Sequence, residues 1–240
     1  MRDVYFVTFG GPSPNYHNAV KRICGEAKQF QLFTRIFGYT DLYLKNDTEF
    51  WSRHGEFISN NSRGYGYWIW KSYLIKQQLA AINDGDVIVY ADAGCTMNVR
   101  GKARLLQYIE MCDRGIVSFQ SPHIEKEWTK GDLSQYLGAS LNDLSSGQLI
   151  ATSFIIRKSK STVDLVDRWY DTCCNYRLLD DSPSVAPNDP NFKENRHDQS
   201  IWSLLRKQHD FVILPEETFF HDFLADGALF PIWATRKIYR

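Results

Sequence analysis

The sequence predicts an α/β fold, a three-layer sandwich in which helices cover both faces of a central mixed, mostly parallel sheet. Three observations support this prediction. Short apolar runs alternate along the chain with longer segments whose apolar residues recur at helical spacing. The runs at residues 4–9 and 87–91 are apolar almost throughout, which is typical of strands buried on both faces. A chain of 240 residues can bury about 70% of its unfolded surface, so it needs no disulfide or metal merely to fold.

The strands are predicted from runs rich in β-branched and aromatic residues that end at turn-forming residues. The first run, residues 4–9, stops at the tight loop 10–14, and the run 87–91 lies between the turn 83–86 and Asp92. The predicted strands span residues 4–9, 35–44, 87–91, 115–119, 149–156 and 211–214.

The helices are predicted from apolar residues near helical spacing with charged residues between them. In the first helix, Val20, Ile23, Ala27 and Phe30 fall on one face. The predicted helices span residues 17–33, 51–58, 72–82, 104–112, 161–176 and 199–208. Residues 179–195 are rich in Pro, Asp and Asn and are predicted to form a loop. Because the chain has no repeat and no obvious linker, we expect one domain over residues 1–240.

Composition and charge argue against several classes of function. The 28 Lys and Arg balance the 28 Asp and Glu, so the chain lacks the basic excess typical of duplex DNA binding or a nuclease. No run approaches the roughly 18 to 20 apolar residues that span a bilayer, and residues 4–9 are too short for a signal peptide. We therefore expect a cytoplasmic protein. The five cysteines are odd in number and lack zinc-site spacing, which favours reduced structural thiols.

Two of the predicted strands end at residues suited to ligand binding. Gly10 and Gly11 follow the first strand, and Asp92, Ala93 and Gly94 follow the strand 87–91. In open α/β sheets, ligands bind beyond the carboxyl ends of the strands, so both ends are expected to face one pocket. Asp92 on its own is equally explained as a turn former or a helix cap.

An unusually aromatic segment lies upstream of Asp92. Residues 63–71 read Arg-Gly-Tyr-Gly-Tyr-Trp-Ile-Trp-Lys, and the two glycines place bare backbone next to large rings. Flat surfaces of this kind stack on a base or a sugar, and Lys71 is placed to neutralise a phosphate. The alternatives are that Trp68 and Trp70 belong to the core and that Lys71 lies at a solvated helix start.

This segment and four further strings resemble a group of bacterial and viral glycosyltransferases of the GT-A fold. The other strings are Tyr-Ala-Asp-Ala-Gly-Cys at 90–95, Glu-Trp-Thr-Lys at 127–130, Arg-His-Asp-Gln-Ser-Ile at 196–201 and Pro-Ile-Trp-Ala-Thr-Arg at 231–236. The resemblance covers nearly the whole chain in the same order. The aromatic segment and the string at 196–201 are its most specific parts.

The resemblance implies a transferase that uses a nucleoside diphosphate sugar, expected to be UDP-linked. The acceptor is expected to be a glycan or glycolipid in polysaccharide assembly. It also implies a divalent metal, which an Asp-x-Asp motif would hold on the donor diphosphate, but Gly94 stands at the position of the second acid. His221 is expected to replace that ligand, and Asp92 with His221 would suit Mn²⁺ better than Mg²⁺. The alternative for His221 is a hydrogen-bonded histidine without a metal.

By the same resemblance, residues 1–120 form a donor-binding half and residues 121–240 an acceptor-side half. Asp198 and Gln199 are expected beside the reacting sugar, where Asp198 would bind sugar hydroxyls or act as a base, although an acid at a helix start is also an ordinary cap. The donor is expected to contact Thr8, Phe9, Gly10, Tyr67, Trp70, Lys71, Asp92, Ala93, Gly94, Arg236 and Lys237.

The acceptor is expected to contact Glu127, Trp128 and Lys130, although an ordinary charged loop explains these residues equally well. For Arg236 and Lys237 the alternative is a frayed basic terminus.

Two other classes of function fit parts of the sequence. A nucleotide-sugar pyrophosphorylase would begin with the same strand, loop and helix, but it would carry a longer glycine loop where this chain has Pro12-Ser13-Pro14. A non-catalytic nucleotide-sugar-binding module would explain why Gly94 replaces an acid. Release of nucleoside diphosphate distinguishes a transferase from such a module.

Overall fold

A computed structural model describes residues 2–237. Within this part of the chain, seven strands form the main sheet in the order β2-β1-β3-β7-β5-β6, with β8 beside β5, and β4 and β9 form a separate pair. The strands are β1 Val4–Gly10, β2 Arg35–Thr40, β3 Val87–Ala91, β4 Thr96–Met97, β5 Ile116–Ile124, β6 Gly147–Leu149, β7 Ser153–Arg157, β8 Val212–Pro215 and β9 Ile232–Trp233.

The helices lie between the strands in the chain and cover both faces of the sheet. The helices are α1 Pro14–Lys28, α2 Asp41–Asn46, α3 Thr48–Asn60, α4 Gly64–Tyr67, α5 Ile69–Ala81, α6 Lys102–Met111, α7 Gly131–Tyr136, α8 Leu141–Ser145, α9 Lys160–Cys174, α10 Tyr176–Leu179 and α11 Asp198–Lys207. Short 3₁₀ turns occur at Val99–Gly101, Cys112–Arg114 and Glu125–Glu127. Among residues 2–237, no helix combines the length and the apolar character that crossing a bilayer requires.

The sheet separates two hydrophobic cores, as the continuous apolar runs predict. In β1, Tyr5 and Val7 point into the core beneath α5, α9 and α11, while Val4 and Phe6 point into the core beneath α1 and α6. Side chains alternate between the two faces because successive residues of a strand point in opposite directions. The predicted three-layer α/β sandwich is therefore confirmed.

The sheet is mixed and mostly parallel, as predicted. Strands β1, β2, β3, β5 and β8 run in one direction, whereas β6 and β7 run antiparallel to their neighbours. Because β1 and β3 are adjacent and parallel, their carboxyl ends meet at one edge of the sheet. This pairing brings Gly10 and Asp92 to the same edge, which fixes the position of the cleft described below.

Two predicted strands differ from the structure for identifiable reasons. The strand predicted over residues 35–44 ends at Thr40, because Asp41 begins α2 and its carboxylate contacts His17 at 2.7 Å and Lys45 at 2.9 Å. The strand predicted over 149–156 is divided into β6 and β7. Between them, the backbone of Ala151 bonds to side chains of the cleft instead of to a neighbouring strand.

The core contains a fully buried histidine whose protonation opposes folding. His54 lies between the hydroxyl groups of Tyr170 and Tyr176, each 2.8 Å from a ring nitrogen. Burial, with a smaller contribution from the charge of Arg53, lowers its pKa from 6.5 to about 4. The unfolded chain therefore binds a proton at a pH where the folded chain does not, so His54 makes the protein less stable as the pH falls from about 6.5 to about 4.

We expect His54→Gln to remove this component of the pH dependence. Between pH 7 and pH 4, the free energy of unfolding of the wild type should fall by about 3 kcal/mol more than that of the variant. Urea denaturation at a series of pH values measures the difference. His221→Gln, at an exposed position, is the control and should follow the wild type. Parallel pH profiles for His54→Gln and the wild type would contradict the assignment.

Candidate functional site

A large cleft opens at the edge of the sheet where β1 and β3 end. Its volume is about 1040 Å³, at the upper limit of the range that small-molecule sites usually have. The loop after β1, the loop after β3, the aromatic segment 63–71 and the segments around residues 121, 196, 216 and 236 contribute to its walls. Its lining includes Phe9, Tyr16, Lys45, Tyr65, Trp68, Trp70, Asp92, Ala93, Gly94, Ser121, His123, Thr152, Arg196, Gln199, Glu216, Phe219 and Arg236.

A buried ammonium group lies behind the floor of the cleft. The Nζ of Lys71 is 3.2 Å from Asp92 Oδ1 and 3.4 Å from Asp198 Oδ2, and it donates a hydrogen bond to the carbonyl of Ala151 at 3.0 Å. The Lys71 side chain is 3% exposed and that of Asp198 is 4%, whereas Asp92 is 31% exposed. Only Asp92 of the three therefore offers its charge to a ligand.

The protonation of these groups follows from their burial and from each other's charge. Burial opposes the charged form of Lys71, but Asp198 and Asp92 outweigh it and raise the pKa of the ammonium above its ordinary value. Burial raises the pKa of Asp198 to about 7, although Lys71 opposes this shift. Tyr90 donates a hydrogen bond to Asp92 Oδ1 at 2.6 Å, and burial followed by the charge of Asp92 raises the pKa of this phenol. Lys71 and Tyr90 together fix the orientation of the Asp92 carboxylate.

The loop after β3 is held rigidly by its neighbours. Arg22 of α1 donates hydrogen bonds to the carbonyls of Ala93 and Cys95, both at 2.8 Å. The carbonyl of Gly94 accepts from the backbone of Lys237 at 2.8 Å and from the hydroxyl of Thr235 at 3.2 Å. The backbone oxygens of this loop are thus already bonded to the protein.

The aromatic segment forms an unusual left-handed turn. All five residues from Gly64 to Trp68 have φ between 52° and 80°. Glycine adopts this region freely, but each other residue there costs about 1–2 kcal/mol. Both glycines are also required by space, since a Cβ atom would lie 2.3 Å from the Trp68 ring at Gly64 and 2.6 Å from Ile58 at Gly66.

The left-handed turn orients aromatic rings toward the cleft. Trp70 stacks on Phe9 of β1 with ring centroids 3.9 Å apart, and its indole donates a hydrogen bond to the carbonyl of Gly64 at 3.0 Å. The ring of Tyr65 also stacks on that of Phe9, with centroids 6.3 Å apart. Phe9 and Trp70 are 4% and 5% exposed and belong to the hydrophobic core, as the alternative for Trp70 predicts, whereas Tyr65 and Trp68 are only partly buried and present ring surface to the cleft.

The predicted donor-contacting residues divide into two groups. Those that line the cleft are Phe9, Trp70, Asp92, Ala93, Gly94 and Arg236. The others lie directly behind it or beside it: Thr8 is fully buried in β1, Gly10 packs against the backbone of Tyr16, and Tyr67 is buried against His197. Lys237 contacts Gly94 through its backbone.

Asp198 and Gln199 differ in their access to the cleft. Gln199 lines it and is oriented by the backbone N–H of Ala151, which donates to its side chain at 3.1 Å. Asp198 lies behind Lys71, and its own carbonyl accepts a hydrogen bond from the indole of Trp169 at 3.0 Å. In this arrangement Asp198 contacts Lys71 and positions it.

The predicted acceptor-side residues do not line the cleft. Glu127 pairs with Lys193 at 2.6 Å, and the ammonium of Lys130 is buried against the carbonyl of Asp180 at 2.9 Å. Trp128 contacts a residue that lines the cleft, because the guanidinium of Arg196 lies 4.0 Å from the centre of its ring.

The two predicted metal ligands are not placed together at the cleft. Asp92 lines it, whereas His221 is exposed and does not line it. Within residues 2–237, no group of three or more His, Cys, Asp or Glu side chains could hold a metal ion. Asp92 Oδ1 is already bonded to Tyr90 and Lys71, and the loop carbonyls are occupied. These residues therefore do not fit a metal held by the protein.

Sequence reasoning missed several residues that the structure brings to the cleft. Arg196 stands in the string at 196–201, for which the resemblance predicts a role only for residues 198 and 199. Lys45 and Tyr16 lie on helices α2 and α1 without any distinguishing motif. Glu216 directly follows β8, which runs parallel to β5. Its position just after a strand is the sequence feature that could have identified it as a cleft residue.

We expect Lys71→Met to destabilise the protein strongly, because it leaves the buried carboxylate of Asp198 unpaired. The free energy of unfolding should fall by about 3–5 kcal/mol at pH 8. Adding Asp198→Asn should recover more than half of this loss. Lys76→Met is the matched control on the same helix, since Lys76 pairs with Asp167 at the surface and should cost at most about 1 kcal/mol. Urea denaturation measures all four proteins, and equal losses for the two lysine variants would contradict the buried ion pair.

Comparison with known proteins supports the fold. No protein-family model and no curated protein matches this chain. A glycosyltransferase involved in the glycosylation of the major capsid of PBCV-1 is similar in structure, with a TM-score of 0.52 at 9% sequence identity over 96% of this chain and 92% of that chain. The WbbM bifunctional glycosyltransferase also has a TM-score of 0.52, at 12% identity over 97% of this chain and 45% of that one. The chain has the GT-A fold.

Proposed function

We propose that this protein transfers a sugar from a nucleoside diphosphate sugar, with UDP as the expected nucleotide, to a glycan or glycolipid acceptor. The observation that carries this proposal is the position of Asp92. Its oriented, partly exposed carboxylate lies on the floor of a cleft that also has an aromatic wall and three cationic side chains, Lys45, Arg196 and Arg236. Together these groups match the aromatic, polar and anionic parts of a nucleotide sugar.

The aromatic wall supplies the first part of the match. The partly buried rings of Tyr65 and Trp68 line the cleft, and Tyr65 is supported from behind by the stacked core rings of Phe9 and Trp70. Flat aromatic surfaces bind a base or a sugar ring with little loss of side-chain entropy, because the rings are already held in place. The base or the sugar of the donor is expected to lie against this wall.

Asp92 supplies the second part. The ammonium of Lys71 lies beside Asp92, whose carboxylate oxygens can accept hydrogen bonds from sugar hydroxyls. Gln199 lines the same region, and its side chain is oriented by Ala151. The two side chains are expected to position the donor sugar, while Asp198 positions Lys71.

The reaction itself makes a specific demand on the cleft. The bond between the anomeric carbon and the diphosphate oxygen breaks, and its electron pair stays on the diphosphate. The acceptor hydroxyl oxygen forms the new bond to the anomeric carbon, and its proton passes to water. Negative charge therefore builds up on the leaving diphosphate, so fixed positive charges near it lower the barrier. Lys45, Arg196 and Arg236 are the cationic side chains that line the cleft within residues 2–237.

We expect one or more nucleoside diphosphate sugars to raise the melting temperature of the protein and to be turned over to nucleoside diphosphate when a glycan acceptor is present. A panel of UDP-, GDP-, ADP- and dTDP-linked sugars, with and without Mn²⁺, tests base, sugar and metal together. Asp92→Ala should retain the fold and lose at least about a hundredfold in transfer rate, as expected when a group that contacts the reacting sugar is removed.

Asp171→Ala, on the exposed face of α9, is the control and should transfer sugar like the wild type. Stabilisation by a nucleotide sugar without any release of nucleoside diphosphate would identify a binding module instead. An Asp92→Ala variant as active as the wild type would reject the role of this carboxylate.

A further inference from the structure

The position that would hold the second acid of an Asp-x-Asp motif is covered by an arginine. A Cβ atom built on Gly94 would lie 3.5 Å from Cα of Arg236, which is ordinary van der Waals contact. Thr235 and Lys237, on either side of Arg236, both bond to the carbonyl of Gly94. The C-terminal segment therefore lies across this loop and places a positively charged residue where the motif would have a negatively charged one.

Arg236 is held there at a cost in backbone energy. Its φ is +52°, in the left-handed region that a non-glycine residue adopts only when the surrounding structure imposes it. The pairing of β4 with β9 fixes the segment just before it, through Thr96 opposite Trp233 and Met97 opposite Ile232. Within residues 2–237, Arg236 forms no ion pair, so its charge is available to a ligand in the cleft.

A second guanidinium group lies close to Arg236 in the same cleft. Arg196 rests on the ring of Trp128 at 4.0 Å, and its Nε faces Glu194 at 3.1 Å. The same Glu194 binds Arg63 at 2.9 Å, so its charge is shared. Burial lowers the pKa of Arg196, the negative charge of Glu194 opposes this shift, and the positive charges of Arg236 and Arg63 lower the pKa further. The charges of Arg196 and Arg236 therefore interact, although Arg196 is also paired with Glu194.

We propose that Arg196 and Arg236 bind the donor diphosphate directly and that this protein binds and uses its donor without a divalent metal. This inference rests on the proposed function and departs from the Mn²⁺ dependence that the sequence resemblance implies. Guanidinium groups suit the role, because each can donate two parallel hydrogen bonds to phosphate oxygens and remains charged at every physiological pH.

The contacts of the acidic residues in and behind the cleft also favour donor binding without a metal. Asp92 Oδ1 is taken by Tyr90 and by the ammonium of Lys71, so a cation of the protein itself already lies between Asp92 and Asp198. Glu216 is the other acid that lines the cleft within residues 2–237, and one of its oxygens accepts two hydrogen bonds from Thr218. Lys45 is paired with Asp41 and Arg196 with Glu194, so Arg236 is the cation lining the cleft that has no carboxylate partner within residues 2–237. Together with Arg196 it favours an anionic ligand.

The test is the binding of UDP, GDP and inorganic pyrophosphate to the metal-free protein, measured by calorimetry in excess EDTA and again with Mn²⁺. We expect at least one of these ligands to bind in EDTA, with a Kd within about twofold of that in Mn²⁺. Arg196→Gln and Arg236→Gln should each weaken this binding by about tenfold or more, the usual effect of losing a charge-assisted hydrogen bond.

Three further proteins make the result specific. Arg177→Gln, at an exposed position on α10, is the matched control and should bind like the wild type. Arg196→Lys keeps the positive charge but not the planar guanidinium that stacks on Trp128, so it should recover part of the affinity that Arg196→Gln loses. Asp92→Asn should bind at least as tightly as the wild type, because it removes a negative charge, whereas a metal held by Asp92 requires that binding be lost.

The outcomes separate the two proposals. Binding that disappears in EDTA and returns with Mn²⁺ would overturn the metal-free site and leave the proposed transferase intact. Arginine variants that bind as tightly as the wild type would overturn it as well. If neither a nucleoside diphosphate nor pyrophosphate binds under any condition, the inference and the proposed function both fail.

Discussion

The structure of the site depends on one buried charge, the ammonium of Lys71. It links the start of α5, the end of β3 through Asp92, the start of α11 through Asp198 and the break between β6 and β7 through Ala151. Removing an ammonium from water costs several kcal/mol, and this cost is offset only because two carboxylates and a carbonyl surround it. The position of each element is therefore constrained by the same group. The exposed carboxylate in the cleft is the part of this network that a ligand meets.

Much of the fold was predictable from the sequence. The strands at 4–9 and 87–91 are buried on both faces, so their apolar runs are continuous, and their parallel pairing places Gly10 and Asp92 at one edge. The division of residues 149–156 was not predictable, because it depends on Lys71 and Gln199, which are distant in the chain and bond to Ala151. Apolar periodicity carries no information on such long-range contacts.

The candidate site was predictable only in part, because local sequence patterns identify some of its residues and long-range contacts bring in the others. Asp92, Phe9 and Trp70 stand in local patterns that place them at strand ends or beside glycines, and they line the cleft. Arg196 and Glu216 reach the cleft only because α11 and β8 fold back against β5 and β6, so their own neighbours in the sequence give little indication. The burial of Lys71 and Asp198 likewise follows from assembly of the two cores and not from local composition.

The left-handed turn at Gly64 to Trp68 has a consequence for how the protein acquires its binding surface. Tyr65, Tyr67 and Trp68 are each held in a backbone conformation that the isolated chain disfavours, and local hydrogen bonds such as that from the Trp70 indole to the carbonyl of Gly64 offset only part of this cost. Contacts with Ile58, Phe9 and His197 supply the compensation, and these residues come from three separate parts of the sequence. The stacking surface therefore depends on the completed tertiary structure, so a nucleotide that stacks on it binds the folded chain in preference to the unfolded one and stabilises it.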